Sequence, residues 1–491
     1  MRSLPAAIVA ALLLLAVPVP VVAELATEAA APAALAPAAA AADGAALADA
    51  AALEAPGLVA TAPGEARVVT TTTTTTTVVT TSAPAPAVPE KPALDSGNTA
   101  WILAATALVL LMTIPGIALF YGGMVRKKNV LATMMQSFAI AALVTVLWMV
   151  AGYSLAFAEG TPWLGGTGKF FLEGIGVASM TGSIPESVFV MFQLTFAIIT
   201  PALIAGAFAE RMKFSAMLVF MAAWSLLVYA PVTHWVWAAD GWLFNYKPAI
   251  LDYAGGTVVH VNAGIAGLVC AFLLGKRTGF GQEAMPPHNL TLTLIGASLL
   301  WVGWFGFNAG SALAADGRAG MAMAATQIAT GAAALSWMLA EWIRKGSPSV
   351  LGLTTGAISG LVAVTPAAGF VDPKGALIIG LLAGVICYWG ATGLKRLLGA
   401  DDSLDAFGVH GVGGILGAIL TGLFVSKDIA GVEPGLAQVM TQLTGVGATL
   451  LFSGVMTFVI LIAIDLTLGL RVKEEEERLG LDLSLHRERV E

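Results

Sequence analysis

Charge is what this sequence is short of. Of 491 residues only 11% are Asp, Glu, Lys or Arg, less than half of the about 25% usual in a soluble domain. A chain so poor in charge cannot clothe a water-exposed surface, which excludes an ordinary soluble protein. Cysteine is scarcer still. The two residues, Cys270 and Cys387, both fall inside apolar runs, so neither a disulfide framework nor a metal-ligand spacing can be assigned. With five histidines and no nucleophile–base or metal constellation, an enzyme is not expected and no cofactor is assigned. The apolar–polar alternation of membrane barrel strands is missing as well.

What is abundant is hydrophobic sequence, 57% of the chain. It is gathered into eleven apolar segments, at about 99–121, 130–157, 187–209, 215–237, 256–275, 290–309, 320–343, 350–369, 375–394, 406–425 and 441–468. Each has about the length a helix needs to cross hydrocarbon. The expectation is an all-α polytopic membrane protein with eleven transmembrane helices. Ahead of it, residues 1–23 read as a secretory signal peptide, with Arg2, the apolar core "AAIVAALLLLAV" and the small-residue "VVA" before Glu24. Residues 24–97, rich in Ala, Pro and Thr, read as a disordered exported linker. The membrane domain then occupies 98–470 and a cytoplasmic tail 471–491.

Loop charges set the orientation. Arg126/Lys127/Lys128, Arg211/Lys213, Lys276/Arg277, Arg344/Lys345, Lys395/Arg396 and Arg471/Lys473 fall at alternate junctions, and the intervening ones carry mostly single bases. By the positive-inside rule the richer set is cytoplasmic, which puts the N-terminus outside and the C-terminus inside the cell (inner) membrane. At one of these junctions Glu210 and Arg211 read as a solvated or structural pair.

Two histidines are out of place. His260 sits in "GGTVVHVNAG" and His410 in "AFGVHGVGGILGAIL", both inside apolar, small-residue runs. Polar groups in a membrane span are costly and point to function by default. One lies in span 5 and the other in span 10. Five spans is an odd number, so a second copy would be inverted, with a shared site near the midplane. By helical rise His260 lies about 24 Å from Lys276 and His410 about 12 Å from Asp402. They meet only if a span starts below the membrane surface.

The motifs "MTIPGIALFYGGMVRKKNV", "DYAGGTVVHVNAGIAGLV", "GKRTGFG", "PHNL", "GWFGFNAGSA" and "DAFGVHGVGG" resemble those of the ammonium transporter (Amt/Mep/Rh) family, in its bacterial Amt branch. The resemblance runs from about Asn98 to Asp482. It implies a homotrimer in the lipid bilayer whose subunits each hold a pore, built as two inverted five-helix repeats plus a C-terminal span. It also implies transport of ammonium or ammonia. By motif, the twin pore histidines fall on His260 and His410, the outer substrate site on Phe196, Trp237 and Ser311, and the phenyl gate on Phe196 and Phe307. Asp252 matches the acid near the outer mouth. The inner loops and the tail resemble the surface that docks a PII-type nitrogen regulatory protein; no nucleic-acid partner is expected.

The residue types suit that chemistry. Aromatic faces attract a cation, Ser311 can accept an N–H, and neutral imidazoles can line an apolar lumen without fixed charge. Structural alternatives stand beside these roles. The phenylalanines, Phe192 included, can be ordinary packing, Trp237 an interfacial anchor, and Asp252 a helix cap. Two departures from the family pattern stand out: Ala406 where a bulkier aliphatic is common, and Lys473 in place of a proline, which puts docking of the tail in question. The functional alternatives are an ammonium sensor signalling through the tail and an Rh-like gas channel.

Overall fold

The computed structural model describes residues 93–490. The expected signal peptide, and the expected linker up to residue 92, lie outside the described residues. Asp95 starts the fold: its carboxylate accepts the Asn98 N–H at 2.7 Å, so the first helix begins at Ser96.

Among the described residues, nine helices are long and apolar enough to cross a membrane. They are α1 (Ser96–Met124), α2 (Lys127–Phe157), α3 (Glu186–Phe208), α4 (Phe214–Trp237), α5 (Gly256–Leu274), α6 (Leu290–Gly310), α9 (Pro373–Leu398), α10 (Phe407–Phe424) and α11 (Leu436–Thr467). The two other expected segments are also helical. α7 (Gly317–Lys345) is long but Ala- and Gly-rich, and α8 (Val350–Val364) is apolar but only 15 residues long. A short helix, α12 (Glu474–Leu479), follows in the tail.

Helix starts follow local chemistry. Asn289, Asp316, Ser349 and Asp372 each accept backbone N–H groups of the first turn of α6, α7, α8 and α9. Pro373 occupies the first position of α9, where its missing N–H has no cost. The loop between α2 and α3 carries two short antiparallel hairpins, β1–β2 (Gly160–Thr161 with Leu164–Gly165) and β3–β4 (Met180–Thr181 with Ile184–Pro185).

Burial sorts the helices. The apolar window of α3 is 94% buried and that of α5 83%, whereas α1, α2, α6, α9 and α11 bury 44%. A helix that is apolar all round must sit inside, so α3 and α5 form the centre. The outer helices turn side chains such as Leu103, Phe138, Leu382 and Leu451 outward, an apolar surface that water would not support but lipid does.

Candidate functional site

The site is built on two helix starts that copy one another. Asp252 lies eight residues before His260, and Asp402 eight before His410. Asp252 accepts the N–H groups of Gly255 (3.0 Å), Gly256 (2.6 Å), Thr257 (2.9 Å) and Val258 (3.0 Å). Asp402 accepts those of Ala406 (3.0 Å) and Phe407 (2.8 Å). Three residues after each acid the chain turns left-handed, at Gly255 (φ 111°) and Asp405 (φ 59°). A wide π turn follows, Gly256–Val261 in α5 and Phe407–Gly411 in α10, and each histidine sits near its end. Both helices thus begin with their orphan N–H groups satisfied by a buried carboxylate, which lets them start inside the protein rather than at its surface.

Glycine then brings the two together. A Cβ at Gly264 would overlap the backbone of Gly411, and one at Gly414 would lie 2.9 Å from the Gly256 carbonyl oxygen and 3.0 Å from the His260 Cβ. Each of these glycines is four residues beyond a histidine, one turn along the same face. The close crossing leaves the imidazoles facing, with Nδ1 to Nδ1 at 3.3 Å and ring centres 5.3 Å apart, 20° from parallel. A hydrogen bond between two Nδ1 atoms needs one proton, so the rings hold opposite tautomers: one protonated at Nδ1, the other at Nε2. The His260 Nε2 is buried with no hydrogen-bond partner among the described residues.

A column of rings leads from the histidines to the far end of α4. Trp304 stacks on His260 (5.4 Å, 23°), and Phe307 lies at 6.2 Å from it (28°). Phe307 meets Phe196 at 4.4 Å, and Phe196 meets the Trp237 ring edge-on at 5.6 Å. Phe192 braces Phe196 from one turn earlier, edge-on at 5.1 Å. Phe196 and Phe307 are fully buried, so the column is closed. Trp237 is only partly buried, and its Nε1 donates to the Asp252 carbonyl oxygen at 2.8 Å. Ser311, also partly exposed, donates to the Phe307 carbonyl oxygen at 2.8 Å, which leaves its oxygen lone pairs available to a donor. A cavity of about 10 Å³ touches His410 and Trp304, with room for one water-sized molecule. Its walls are apolar: Ile117, Phe120, Ile199, Leu203, Leu300 and Trp304 among them.

The tail end of the bundle corrects the reading of Glu210 and Arg211. Both are buried, and they do not pair with each other. Glu210 accepts the Arg126 N–H (2.7 Å) and Nε (2.8 Å) and lies 3.3 Å from Arg277. Arg277 also grips Asp401 through two nitrogens, at 2.9 and 2.8 Å. Arg211 instead donates to the carbonyls of Ala207 (3.1 Å) and Asp401 (2.7 Å) and to Ser403 (2.6 Å). Adjacency in sequence misled here because positions i and i+1 face different ways, whereas loops 67 to 192 residues apart converge. Burial works against both carboxylates, but the Arg126 bonds hold Glu210, and the Arg277 bonds Asp401, below the ordinary carboxylate range. His234 is buried against the carbonyls of Ala156 (3.0 Å) and Thr161 (2.7 Å), and His486 stands edge-on to Phe214.

The tail is docked despite the absent proline. The Lys473 N–H, which proline would lack, is taken by Glu476 at 2.8 Å. Glu477 accepts from Thr278 N (2.6 Å) and Arg471 (2.6 Å), and Asp482 caps α2 through Leu131 N (3.1 Å) and Ala132 N (2.7 Å).

Residues 100–491 match the family model of the Ammonium Transporter Family. The chain belongs to the ammonium transporter family. It is 49% identical over 406 residues to an ammonium transporter of Bacillus subtilis, covering 81% of this chain and 99% of that one. With one from Aquifex aeolicus it shares 50% over 405 residues, 81% and 94% of the two chains. The crystal structure of Saccharomyces cerevisiae Mep2 superposes with a TM-score of 0.73 at 37% identity, over 78% of this chain and 88% of that chain. A protein described as a sensor Amt protein superposes at 0.74 with 27% identity, over 79% and 98%.

Two contributors to this transporter-family site escape a reading of the sequence. Trp304 is one, although it lies three residues before Phe307 and so shares its face of α6. Asp402 is the other. The matching eight-residue interval from acid to histidine in both halves is the signal that marks it.

Proposed function

We propose that the chain carries ammonium across a membrane. The ion is recruited between Trp237, Phe196 and Ser311, gives up its proton to water at that site, and crosses as neutral ammonia past His260 and His410. The observation that carries this reading is the Nδ1–Nδ1 histidine pair in contact with a closed aromatic column and an apolar cavity. Trp237 and Phe196 offer ring faces to a cation, worth about 2 kcal/mol or more once water is excluded. Ser311 offers a lone pair to one N–H. Asp252 serves the site through its cap and through the carbonyl that fixes Trp237, since its carboxylate oxygens are occupied by four N–H groups. Beyond the gate a bare cation would be stripped of water among apolar walls, at a cost of several kcal/mol or more. Ammonia carries no such penalty. Phe196 and Phe307 swing apart to admit it, and the unpartnered Nε2 of His260 faces it as donor or acceptor according to tautomer.

The wider assembly follows the family pattern. Eleven spans form two inverted five-helix repeats plus a last span, three copies make a trimer, and the tail faces the cytoplasm of a bacterial inner membrane. The docked tail and its neighbouring loops form the surface for a PII-type regulator, which a pull-down at low and high ADP-to-ATP ratios tests.

Uptake of radiolabelled methylammonium by a strain lacking its own ammonium transporters decides the main reading. Accumulation above background, suppressed by added ammonium, is the expected result. The likeness to a sensor Amt protein and the tail's grip on the transport domain favour a second reading, an ammonium sensor. Absent uptake with verified membrane insertion would select it.

A further inference from the structure

We propose that Arg318 is a positioning residue for ammonium recruitment, clamping the two loops that carry Trp237's anchor and Ser311 at a fixed separation. The inference rests on the recruitment site proposed above. Arg318 lies in the first turn of α7, and its Cζ sits 5.4 Å from the centre of the Tyr253 ring and 4.9 Å from that of Phe370. The two rings meet edge to face at 5.3 Å and 77°, so the guanidinium closes a three-sided cluster. Its Nε donates to the Gly369 carbonyl oxygen at 3.0 Å, which fixes the plane of the group. At Gly369 a Cβ would run into the Tyr253 ring, so the contact is already at its closest.

Two members of the cluster, Tyr253 and Arg318, connect it to the recruitment site. Tyr253 follows Asp252, whose carbonyl oxygen holds the Trp237 indole. Its own N–H donates to Pro366 at 3.2 Å, joining the same loop to the end of α8. On the other side Arg318 is seven residues beyond Ser311. The chain between them leaves α6 with Leu313 N bonded to the Gly310 carbonyl oxygen at 2.9 Å, turns left-handed at Leu313 (φ 55°), and reaches a distant segment from Ala315 N to the Asn98 side chain at 2.8 Å. The spacing between the Trp237 ring and the Ser311 hydroxyl is therefore linked to how the start of α7 is held against Tyr253, where Arg318 acts beside the packing of Ala319 and Ala322. A guanidinium suits the task because it stacks on a ring while its edge hydrogen-bonds; a lysine ammonium keeps the charge but has no planar face.

Loosening the clamp widens the recruitment site without touching the gate or the histidines. Affinity falls and the maximal rate stays. The test is the concentration dependence of radiolabelled methylammonium uptake by proteoliposomes carrying the full chain, for wild type, Arg318→Ala, Arg318→Lys, Phe370→Leu and Trp237→Leu. We expect Arg318→Ala and Phe370→Leu to raise KM by about three- to tenfold, with maximal uptake per inserted protein within about twofold of wild type. Arg318→Lys should fall between. A role in folding alone would lower the amount inserted and leave KM where it was. If Trp237→Leu raises KM while Arg318→Ala leaves it unchanged, the clamp is wrong and recruitment stands. A fall in KM for Arg318→Ala also overturns the clamp, since removal of a positive charge near the site would then dominate. If Trp237→Leu leaves KM unchanged, recruitment fails and the clamp with it. Should Arg318→Ala not insert, Arg318→Lys and Phe370→Leu carry the same comparison.

Discussion

His260 and His410 share one hydrogen bond and one proton along it, an arrangement that supplies polarity without charge. Removing either ring leaves its partner's Nδ1 buried and unpaired, at a cost of about 1–3 kcal/mol, and makes space for water. For His260→Ala and His410→Ala we expect normal insertion with lost methylammonium uptake or a new potassium leak, read on proteoliposomes; wild-type uptake and selectivity in both would reduce the pair to a structural role. Asp402 makes a pH-dependent prediction. Burial, then the nearby Asp405 carboxylate, push its pKa up to about 6. The folded chain thus binds this proton more tightly than the unfolded chain does. The ionised form costs stability at pH 7, and the cost fades as pH falls through about 6 toward the ordinary carboxylate range. Asp402→Asn should raise the melting temperature at pH 7.5, by the equivalent of about 1–3 kcal/mol less the lost hydrogen bond, and the gain should shrink as pH falls below about 6 and vanish below the ordinary carboxylate range. A gain that is the same at pH 7.5 and below that range would show that Asp402 titrates normally. Glu210 and Asp401 run the other way: held below the ordinary range, they contribute stability at neutral pH that is lost as pH falls through their depressed values.

At the scale of the element, what matters is where α5 and α10 begin. Had they started at the membrane surface, the histidines would lie at different depths. Each instead starts from a carboxylate-capped π turn buried within the protein, and the two turns face each other. The sequence suggested a single buried start; the structure has two. The glycines complete the arrangement. Gly264→Leu should prevent the crossing, because its side chain would have to displace the Gly411 backbone. Even Gly264→Ala should cost about 1–3 kcal/mol by overpacking. Gly320→Ala in α7, where a Cβ meets nothing within 4 Å, should be neutral. Thermal unfolding of the detergent-solubilised protein measures both, and equal melting temperatures for the two alanine variants would refute the tight crossing.

Across the whole molecule, the tail gathers the bundle's charged end. Asp482 supplies the cap that α2 does not get from Asn129, whose side chain instead accepts the Leu481 N–H at 2.8 Å. Lys128 donates to the Arg478 carbonyl oxygen at 2.7 Å, and Glu477 ties in Thr278 and Arg471. Asp482→Ala should weaken this grip by about 0.5–2 kcal/mol, the usual worth of a cap. Trypsin should then cut faster at Arg471, Lys473 and Arg478 in the intact protein. An unchanged cutting rate would mean that the remaining contacts hold the tail by themselves.

The sequence by itself determined the class of the molecule, because scarcity of charge and twenty-residue apolar runs leave few options other than a helical membrane protein. It also made the candidate site partly legible. His260 and His410 stand out as costly polar residues, and the motifs around Phe196, Trp237, Phe307 and Ser311 carry the family resemblance. Only the tertiary structure decided how these residues meet. Burial of Glu210 and Arg211, their separate partners, the stacking of Trp304 on His260 and the clamp of Arg318 on Tyr253 and Phe370 all join residues far apart in the chain. Periodicity and motif spacing report which face of a local element a residue occupies. They carry no information on which distant loop will lie opposite, since that depends on how close two backbones can approach, and here glycine and two buried carboxylates set that distance.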